Sequence, residues 1–407
     1  MNSKQDKQRL FIVSELYYPE DTSTGLQMTQ IAESIADRFD VKILCGQPTY
    51  AKRGTRAPKY EVHNGVEIFR CSGTTFDKNI LPFRAVNMIT LGFFIFWKAL
   101  FKFQKGDRVM VVTTPPTMPF VAALAALMKG SIYKLLIHDQ YPEVLVAAGK
   151  ISRSSKINAL IEYFNRWLYK HANRIIVIGR DMKILAERKS AGLGIPVSVV
   201  PIWADADKIT PEPRESNEIL KELGVADKIV FLYSGNMGTT HDLESLFKAA
   251  KELQNENVHF IFAGSGARRK WLDSALENEP LPNVTLMPRQ PAERLNSLLN
   301  ACDVALITTV SDMFGVSVPS RAANVMATGR PILAMTDPGS ELALMIDEEN
   351  IGWHVRSGDL NALIATVRAI LRLSHQDIAM MGNRARVAVD ERYTLSDRAN
   401  RYAEALK

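Results

Sequence analysis

The segment IVFLYSGNMGTTHDLE, residues 229–244, decides the fold of the second half of the chain. Its first five residues form a continuous apolar run, typical of a strand that is buried on both faces of a parallel sheet. A loop containing Gly235 and Gly238 follows, and a segment with helical periodicity begins after it. Strand, glycine-containing loop and helix in this order predict one unit of a doubly wound α/β fold. The loop amides and the helix N-terminus would favour an anion such as phosphate.

The same alternation of short apolar strands and amphipathic helices runs along the whole chain. The predicted strands are 10–14, 41–45, 109–113, 132–138, 174–178, 197–201, 229–234, 259–263, 284–287, 304–307 and 331–334. The predicted helices include 27–37, 118–128, 155–170, 181–188, 243–253 and 292–302. This pattern predicts an α/β protein with two doubly wound, Rossmann-like domains facing across a cleft. Ligands of such sheets bind at the carboxyl ends of the strands.

The domain boundary is predicted in segment 203–217, WADADKITPEPRESN, which is rich in proline and charge and has little periodicity. The first domain would then span 1–207 and the second 208–390. The C-terminal helix, 391–407, either extends the second domain or crosses back onto the first, and its periodicity is compatible with both.

Charge and composition narrow the class of partner. The 407 residues contain 50 Lys and Arg against 44 Asp and Glu, a net charge of +6 that favours anionic partners. The basic residues are scattered among the acidic ones, so no nucleic-acid partner is expected. The polar residues 1–9 do not resemble a secretory signal, and the three cysteines have no metal or redox spacing. Reduced thiols in a cytoplasmic protein are therefore expected.

Segment 80–105, ILPFRAVNMITLGFFIFWKALFKFQK, combines apolar residues with Arg84, Lys98, Lys102 and Lys105. Its uninterrupted apolar run is short for a transmembrane helix. Apolar bulk with flanking cations predicts a helix that lies on an anionic membrane surface. A helix buried against the sheet is the alternative, and the sequence is compatible with either.

Two loops of the first domain contain candidate functional residues. Segment 17–25 precedes a predicted helix and ends at Gly25, which would let backbone approach a ligand closely. His138 is the last residue of the apolar strand 132–138, and Asp139 directly follows it. Both would therefore emerge at the ligand-binding edge of the sheet. Such a pair would contact substrate hydroxyls or a developing charge, whereas a locally hydrogen-bonded turn is the alternative.

Further candidates lie after strand 259–263 and in the predicted linker. The loop after strand 259–263 contains Gly264 and Gly266 but lacks the third glycine and the acidic residue of a dinucleotide-binding fingerprint. A diphosphate-facing loop is therefore favoured over a dinucleotide oxidoreductase. Asp205 and Asp207 have metal-ligand character, but they fall in the predicted linker, so no metal site is expected.

A second helix N-terminus is predicted around Pro319, a residue suited to the first turn of a helix. Ser317 and Ser320 would lie near its positive end. Arg321 and Asn324 are three residues apart and would share a helix face. A guanidinium and a carboxamide on one face suit phosphate and sugar or ribose hydroxyls, respectively. A surface helix with ordinary polar residues is the alternative.

These motifs resemble the retaining GT-B glycosyltransferases that build bacterial polysaccharides and lipid-linked oligosaccharides. Within that group, the chain is similar to the O-antigen, capsule and colanic-acid-type transferases of amino- or deoxysugars, including the N-acetyl-L-fucosamine type. The similar stretches are YYPEDTSTGLQ (17–27), HDQYPEVLVAAGKI (138–151), IPVSVVPIWAD (195–205), LYSGNMGTTHDLE (232–244), FAGSG (262–266), VPSRAANVMATGRPIL (318–333) and DPGSELA (337–343).

The resemblance implies a metal-independent hexosyltransferase without a cofactor. It implies a nucleotide-sugar donor, expected to be UDP-linked, and a lipid-linked saccharide or polysaccharide acceptor. The enzyme would be cytoplasmic and peripheral on the inner face of the cell membrane. The resemblance and the sequence features above together give His138, Asp139 and Arg321 as candidate catalytic residues. The candidate donor-binding residues are Gly25, Gly235, Asn236, Gly238, His241, Gly264, Gly266, Arg289, Ser317, Ser320, Asn324 and Glu341.

The chain departs from the family pattern at the donor site. Asn236 and His241 stand where most relatives have the Arg and Lys that stabilise the leaving diphosphate. Val316 and Asn324 stand where they have two glutamates, the second of which binds ribose. The segment around Arg321 resembles a Pro-x-Lys version of the site in some relatives, which implies that Arg321 stabilises the leaving group.

Two other functions are compatible with the same features. A nucleotide-sugar epimerase would share the architecture, but it would use several carboxylates as acid and base, and the chain offers mainly Asp139, Glu143 and Glu341. A non-catalytic scaffold at the membrane would explain segment 80–105 but leaves the phosphate-suited loops without a purpose.

Overall fold

The computed structural model describes residues 7–48, 56–76 and 81–407. The chain divides into two units. Unit 1 comprises Met1–Pro142, Ser152–Pro201 and Leu395–Lys407, and unit 2 comprises Glu143–Ile151 and Ile202–Thr394.

The strands and helices alternate through both units. The strands are β1 Arg9–Val13, β2 Asp40–Cys45, β3 Tyr60–His63, β4 Val66–Arg70, β5 Arg108–Val112, β6 Ile132–Ile137, β7 Arg174–Val177, β8 Val197–Val199, β9 Ile229–Asn236, β10 Val258–Ser265, β11 Val284–Met287, β12 Val304–Thr308, β13 Ile332–Met335 and β14 Gly352–Val355. The helices are α1 Ser23–Ser34, α2 Leu81–Lys102, α3 Met118–Lys129, α4 Glu143–Ala147, α5 Lys156–His171, α6 Arg180–Lys189, α7 Glu218–Leu223, α8 Leu243–Glu252, α9 Arg269–Asn278, α10 Leu295–Asn300, α11 Arg321–Ala327, α12 Glu341–Glu349, α13 Leu360–Ile370, α14 His375–Arg392 and α15 Leu395–Leu406.

Unit 1 is built on an eight-stranded sheet with the order β3-β4-β2-β1-β5-β6-β7-β8. Its strands pair in parallel except β3, which is antiparallel to β4. The hairpin of β3 and β4 was not predicted from the sequence. Its strand YEVH is half-exposed or exposed throughout and therefore lacks the apolar run that marks the central strands.

Unit 2 contains a six-stranded parallel sheet with the order β11-β10-β9-β12-β13-β14. The segment 229–244 forms β9, its loop and the start of α8, as predicted. The core packs β9 and β10 against helices α8 and α13, through residues such as Phe231, Phe260 and Leu246. The two sheets confirm the prediction of an α/β protein with two doubly wound, Rossmann-like units.

The unit boundary lies between Pro201 and Ile202, ahead of the predicted boundary at 207/208. Ile202, Trp203 and Ala204 are buried, and the amide of Ala204 donates to the carbonyl oxygen of Tyr393 at 3.1 Å. These apolar residues place the segment in unit 2, so the charged stretch after them is not the link between units. Helix α15 belongs to unit 1, which matches the second of the two placements considered for 391–407.

Helix α2 covers most of segment 80–105, of which Ile80 lies outside the described residues. Its part Pro82–Lys102 is long and apolar enough to cross a membrane, judged by length and composition alone, and 28% of its most apolar window is buried. Leu91, Ile95, Ala99 and the following Phe103 are buried. One face of the helix is therefore packed on unit 1, as the core alternative expects, and the other face is not.

Candidate active site

Arg321 is the centre of a cluster at the carboxyl end of β9. As the first residue of α11, it donates from Nη1 to the carbonyl oxygen of Ser234 at 3.0 Å. Its guanidinium carbon lies 4.6 Å from the centre of the Tyr233 ring. A Cβ on Gly235 would lie 3.1 Å from Nη1, so this glycine makes room for the arginine. No carboxylate of the described residues pairs with Arg321, which leaves its positive charge available to an anion.

His241 contacts the same guanidinium. Its Nδ1 lies 3.0 Å from Arg321 Nη2 and 2.7 Å from the carbonyl oxygen of Thr308. A carbonyl oxygen only accepts, so we assign the ring proton to Nδ1, which then cannot accept from Arg321 Nη2, and Nε2 remains an acceptor. Burial, and then the charge of Arg321, lower the pKa of His241 to about 3. His241 is thus neutral near pH 7 and does not replace the charge of the family lysine.

The predicted anion site at the N-terminus of α8 needs correction. The carboxylate of Asp242 caps this helix by accepting from the amide of Ser245 at 3.0 Å and from its hydroxyl at 2.6 Å. The amide of Met237 donates to the carbonyl oxygen of Ser265 at 2.9 Å. A negative cap opposes a second anion at the helix end, so the charge of Arg321 is the feature of this cluster that would attract an anion.

Gly264 and Gly266 are explained by contacts within the sheet. A Cβ on Gly264 would lie 2.0 Å from the carbonyl oxygen of Gly235, and one on Gly266 would lie 2.5 Å from that of Met237. Both residues have positive φ, 145° and 151°. The ends of β9 and β10 approach so closely that only glycine fits, so these residues are not in themselves a sign of a diphosphate-facing loop.

The predicted polar face of α11 is also corrected. Helix α11 begins at Arg321, so Pro319 lies before the helix and not in its first turn, and Ser320 is its N-cap residue. Asn324 accepts at Oδ1 from the amide of Asp205 at 3.2 Å, so one of its hydrogen bonds goes to the backbone of its own unit. Val316, at the position of the first family glutamate, is buried.

The other predicted donor-binding residues of unit 2 lie around its six-stranded sheet. Asn236 ends β9, and its side-chain Nδ2 would lie 3.1 Å from a Cβ on Gly238. Ser317 lies in the segment before α11. Arg289 follows β11 and is exposed, whereas Glu341 is the buried first residue of α12. Of the predicted set, the structure brings Gly235, His241 and Arg321 into direct contact.

The second candidate group lies in unit 1, where β6 ends. Thr113 Oγ1 accepts from the amide of His138 and donates to the carbonyl oxygen of Asp139, both at 3.2 Å. Burial lowers the pKa of His138 to about 4 and raises that of Asp139 to about 6. A small cavity beside Asp139 is also lined by Phe120 and Tyr141. Asp139 is therefore poised to change charge close to neutral pH.

Gly25 is the third residue of α1. A Cβ there would lie 2.7 Å from the carbonyl oxygen of Glu20, so backbone of the protein itself occupies the space that glycine leaves. This contact accounts for the glycine without a ligand.

Sequence reasoning missed two residues that shape these groups, Tyr233 and Thr113. Tyr233 supports the guanidinium of Arg321, and its hydroxyl donates to the carbonyl oxygen of Asn236 at 2.7 Å. Tyr233 is the last fully buried residue of β9 and Thr113 directly follows β5, so both lie towards the edge where ligands of parallel sheets bind. Their position was therefore a usable signal.

In residues 7–48, 56–76 and 81–407, no group of three or more His, Cys, Asp or Glu side chains is placed to hold a metal ion. Asp205, one of the two carboxylates considered, pairs with Lys208 at 3.3 Å. The cysteines Cys45, Cys71 and Cys302 are buried, and burial raises the pKa of each thiol to about 11 or 12.

Comparison with known proteins identifies the family of this chain. Residues 215–388 match the family model of the "Glycosyl transferases group 1". The chain is 30% identical over 388 residues to the "Probable glycosyltransferase WbjE" of Pseudomonas aeruginosa, covering 95% of this chain and 94% of that protein. It is 24% identical over 379 residues to the "Putative colanic acid biosynthesis glycosyl transferase WcaI" of Escherichia coli K12, covering 89% and 92%.

Among solved structures, HepE of Anabaena in complex with UDP and glucose is similar in fold. The TM-score is 0.72 at 14% sequence identity, with 98% of this chain and 99% of that chain covered. This likeness supports the GT-B fold that the sequence predicted. The relatives and the family model together show that the chain belongs to the group 1 glycosyl transferases.

Proposed function

We propose that this glycosyltransferase moves a sugar from a UDP-linked donor to a lipid-linked or polysaccharide acceptor, with retention of configuration. The sugar is an N-acetylated amino- or deoxyhexose, as the resemblance to the fucosamine-type enzymes implies, and the product is a cell-surface glycan. The observation that carries the proposal is the position of the Arg321 guanidinium over the Tyr233 ring. This guanidinium has no carboxylate partner among the described residues. The UDP bound to HepE and the colanic-acid role in the name of WcaI support the donor and the pathway class.

The leaving group of this reaction is a nucleoside diphosphate, whose charge grows as the sugar carbon separates from it. Arg321 is preorganised by Ser234 and Tyr233, so little reorganisation is needed when that charge develops. Its planar donors suit two diphosphate oxygens at once. Because Nδ1 of neutral His241 donates to the carbonyl oxygen of Thr308, its Nε2 can accept a hydrogen bond from a hydroxyl of the sugar nucleotide.

The bond between the anomeric carbon and the diphosphate oxygen breaks while the acceptor hydroxyl oxygen bonds to the same carbon. The hydroxyl proton passes to the diphosphate oxygen, so the acceptor attacks on the face from which the diphosphate leaves. This route needs neither a protein nucleophile nor a metal, and we propose that the enzyme uses no cofactor. Asp139, when ionised, would stabilise the positive charge of the sugar ring in the transition state.

The first test supplies the full-length enzyme with UDP-sugars and a polyprenyl-diphosphate saccharide in buffer that contains excess chelator. We expect a glycolipid whose new bond keeps the configuration of the donor, because Arg321 supplies the charge that a metal would otherwise provide. Mass spectrometry and proton NMR of the product measure this. The double variant Asp205→Asn/Asp207→Asn should retain parent activity. Parent activity that requires Mg²⁺ or Mn²⁺ and disappears in that double variant would contradict the metal-free route. Conversion of the UDP-sugar to its epimer would indicate an epimerase instead.

The pH dependence should report Asp139. Its pKa is raised to about 6, so the carboxyl is neutral below that pH and ionised above it. If the ionised form stabilises the transition state, kcat should rise about tenfold per pH unit below about 6 and reach a plateau above it. Asp139→Asn should be slow and lack this rise. His138, with a pKa of about 4, should add no inflection near neutral pH. A parent rate that falls as pH rises through the pKa of Asp139 would make this residue a proton donor instead.

We propose that the enzyme works in the cytoplasm, bound to the inner face of the cell membrane through α2. A polyprenyl acceptor keeps its tail in the bilayer, so its saccharide is available only at the headgroup layer. Helix α2 has exposed aromatic residues and cations, which suit a peripheral contact with anionic lipid.

A further inference from the structure

The exposed face of α2 is apolar over its whole length. The side chains of Phe83, Val86, Ile89, Phe93, Trp97 and Phe101 recur at helical spacing and are 39–81% exposed. The opposite side of the helix, through Leu91 and Ile95, is buried in unit 1. A surface helix of a globular protein normally presents polar residues to solvent, so this face is built for a non-aqueous contact.

Two neighbouring helices continue that face. A Cβ on Gly92 of α2 would lie 3.4 Å from Val121 of α3, and Phe120 of α3 lies 6.3 Å, centre to centre, from Phe164 of α5. Helices α2, α3 and α5 each connect strands in the same direction along the sheet, from β4 to β7, so right-handed connections place them on one side of it. The three helices therefore form one layer.

The outer side of α3 and α5 carries more exposed apolar residues. On α3 these are Leu124, Leu127 and Met128, with exposures of 45%, 40% and 62%. On α5 they are Ile157, Leu160, Tyr163 and Phe164, with exposures of 58%, 56%, 72% and 48%. We call the exposed apolar residues of α2, α3 and α5 the three-helix face.

The charges on these helices select an anionic partner. Helices α2, α3 and α5 contain Arg84, Lys98, Lys102, Lys129, Lys156, Arg166 and Lys170. Their single acidic residue is Glu162, which pairs with Lys189 at 3.2 Å. The Nζ atoms of Lys98 and Lys102 lie 5.8 and 4.3 Å from the centre of the Phe69 ring, so a ring face and no carboxylate of the described residues faces these two cations. Cations around a broad apolar face match a bilayer with anionic headgroups.

We propose that the three-helix face lies on an anionic lipid bilayer, with α5 as a second contact beside α2. The inference deepens the proposed function, on which it rests, by extending the membrane contact from one helix to a layer of unit 1. Helices α3 and α5 also line the small cavity at Asp139, through Phe120 and Asn165. A bilayer on this face would hold a lipid-linked saccharide near the end of β6.

The decisive variant removes the α5 contact and leaves α2 intact. Ile157→Gln/Leu160→Gln/Tyr163→Gln should lower the partition coefficient onto phosphatidylcholine–phosphatidylglycerol vesicles by about tenfold or more, measured by co-sedimentation of the full chain. The matched control is Val62→Gln/Met380→Gln/Val387→Gln, which changes three apolar residues of similar exposure outside the three-helix face and should bind like the parent. Parent binding should weaken on pure phosphatidylcholine and in about 1 M salt, where the Debye length falls to about 3 Å.

A second measurement needs no substitution. Hydrogen exchange of the parent should slow in peptides of 156–171 when anionic vesicles are added, and soluble glycerol phosphate should have no such effect. Parent-like binding by the α5 variant, with loss in Phe93→Gln/Trp97→Gln/Phe101→Gln, would overturn the inference but leave the α2 contact of the proposed function. Unchanged binding in both variants would overturn both. A dimer in solution that the α5 substitutions dissociate would show that a second copy of the chain, not lipid, covers this face.

Discussion

Replacing Arg321 with alanine is expected to lower kcat/KM for sugar transfer by a factor of about 100 to 1,000, the usual cost of losing a preorganised charge stabiliser. The side chain is held by Ser234 and Tyr233 and has no carboxylate partner among the described residues. Arg321→Lys should recover part of the activity, because it keeps the charge but loses the planar pair of donors. Steady-state kinetics with a UDP-sugar and a lipid-linked acceptor measure both effects.

The matched control is Arg368→Ala, which removes another unit 2 arginine, one that pairs with Glu256 at 2.9 Å. Its activity should equal that of the parent. Arg321 also lowers the pKa of His241, after burial, so this pKa should rise in Arg321→Ala when followed by NMR. Parent turnover in Arg321→Ala would refute the assignment, and a shifted histidine resonance would show that the substitution had still altered the site.

Gly264→Ala should cost about 3 to 5 kcal/mol of folding free energy, because two independent penalties coincide. A Cβ would lie 2.0 Å from the backbone oxygen of Gly235, and the residue has a φ of 145°, where L side chains are strained. Relief of the contact requires movement of β9 away from β10, which would displace the backbone that holds Arg321. We therefore expect weaker binding of the proposed UDP-linked donor together with a lower melting temperature, measured by titration and by calorimetry.

Gly224→Ala serves as the control for positive φ alone. This residue has a φ of 65°, and the position that an added methyl group would take has no atom within 4 Å. The expected cost is therefore about 1 kcal/mol. Equal losses in the two variants would show that crowding between β9 and β10 is not the source of the effect.

The strands that consist of a continuous apolar run were predictable in both sheets. FIV in β1 and VFLY in β9 are continuous apolar runs, and such runs need no knowledge of their neighbours. The β3–β4 hairpin and β14 were missed, because YEVH and GWHV are short and only partly buried. An exposed edge strand is held mainly by backbone hydrogen bonds to its neighbour. Because these bonds do not depend on apolar side chains, its sequence shows little hydrophobic periodicity.

Arg321 and His241 of the candidate cluster were named from the sequence, but their contacts were not predictable. Arg321 was identified from its place beside Pro319, yet its support comes from Tyr233, which is distant in sequence. The capping of α8 by Asp242 could have been inferred from the local sequence, since an aspartate before a helix commonly binds an amide two or three residues later. The role of Gly264 depends on the approach of another strand and was not accessible to sequence reasoning.

Helix α15 has a consequence for the order in which the protein is synthesised. Its residues Tyr402 and Leu406 are buried in unit 1, where the helix packs beside α1. The ribosome makes α1 early and α15 only after the whole of unit 2, so the nascent unit 1 must wait with part of its apolar surface uncovered. The main segment of unit 2, Ile202–Thr394, is synthesised before α15 and can therefore fold before unit 1 is complete. The half of the chain that is translated first is therefore expected to finish folding last.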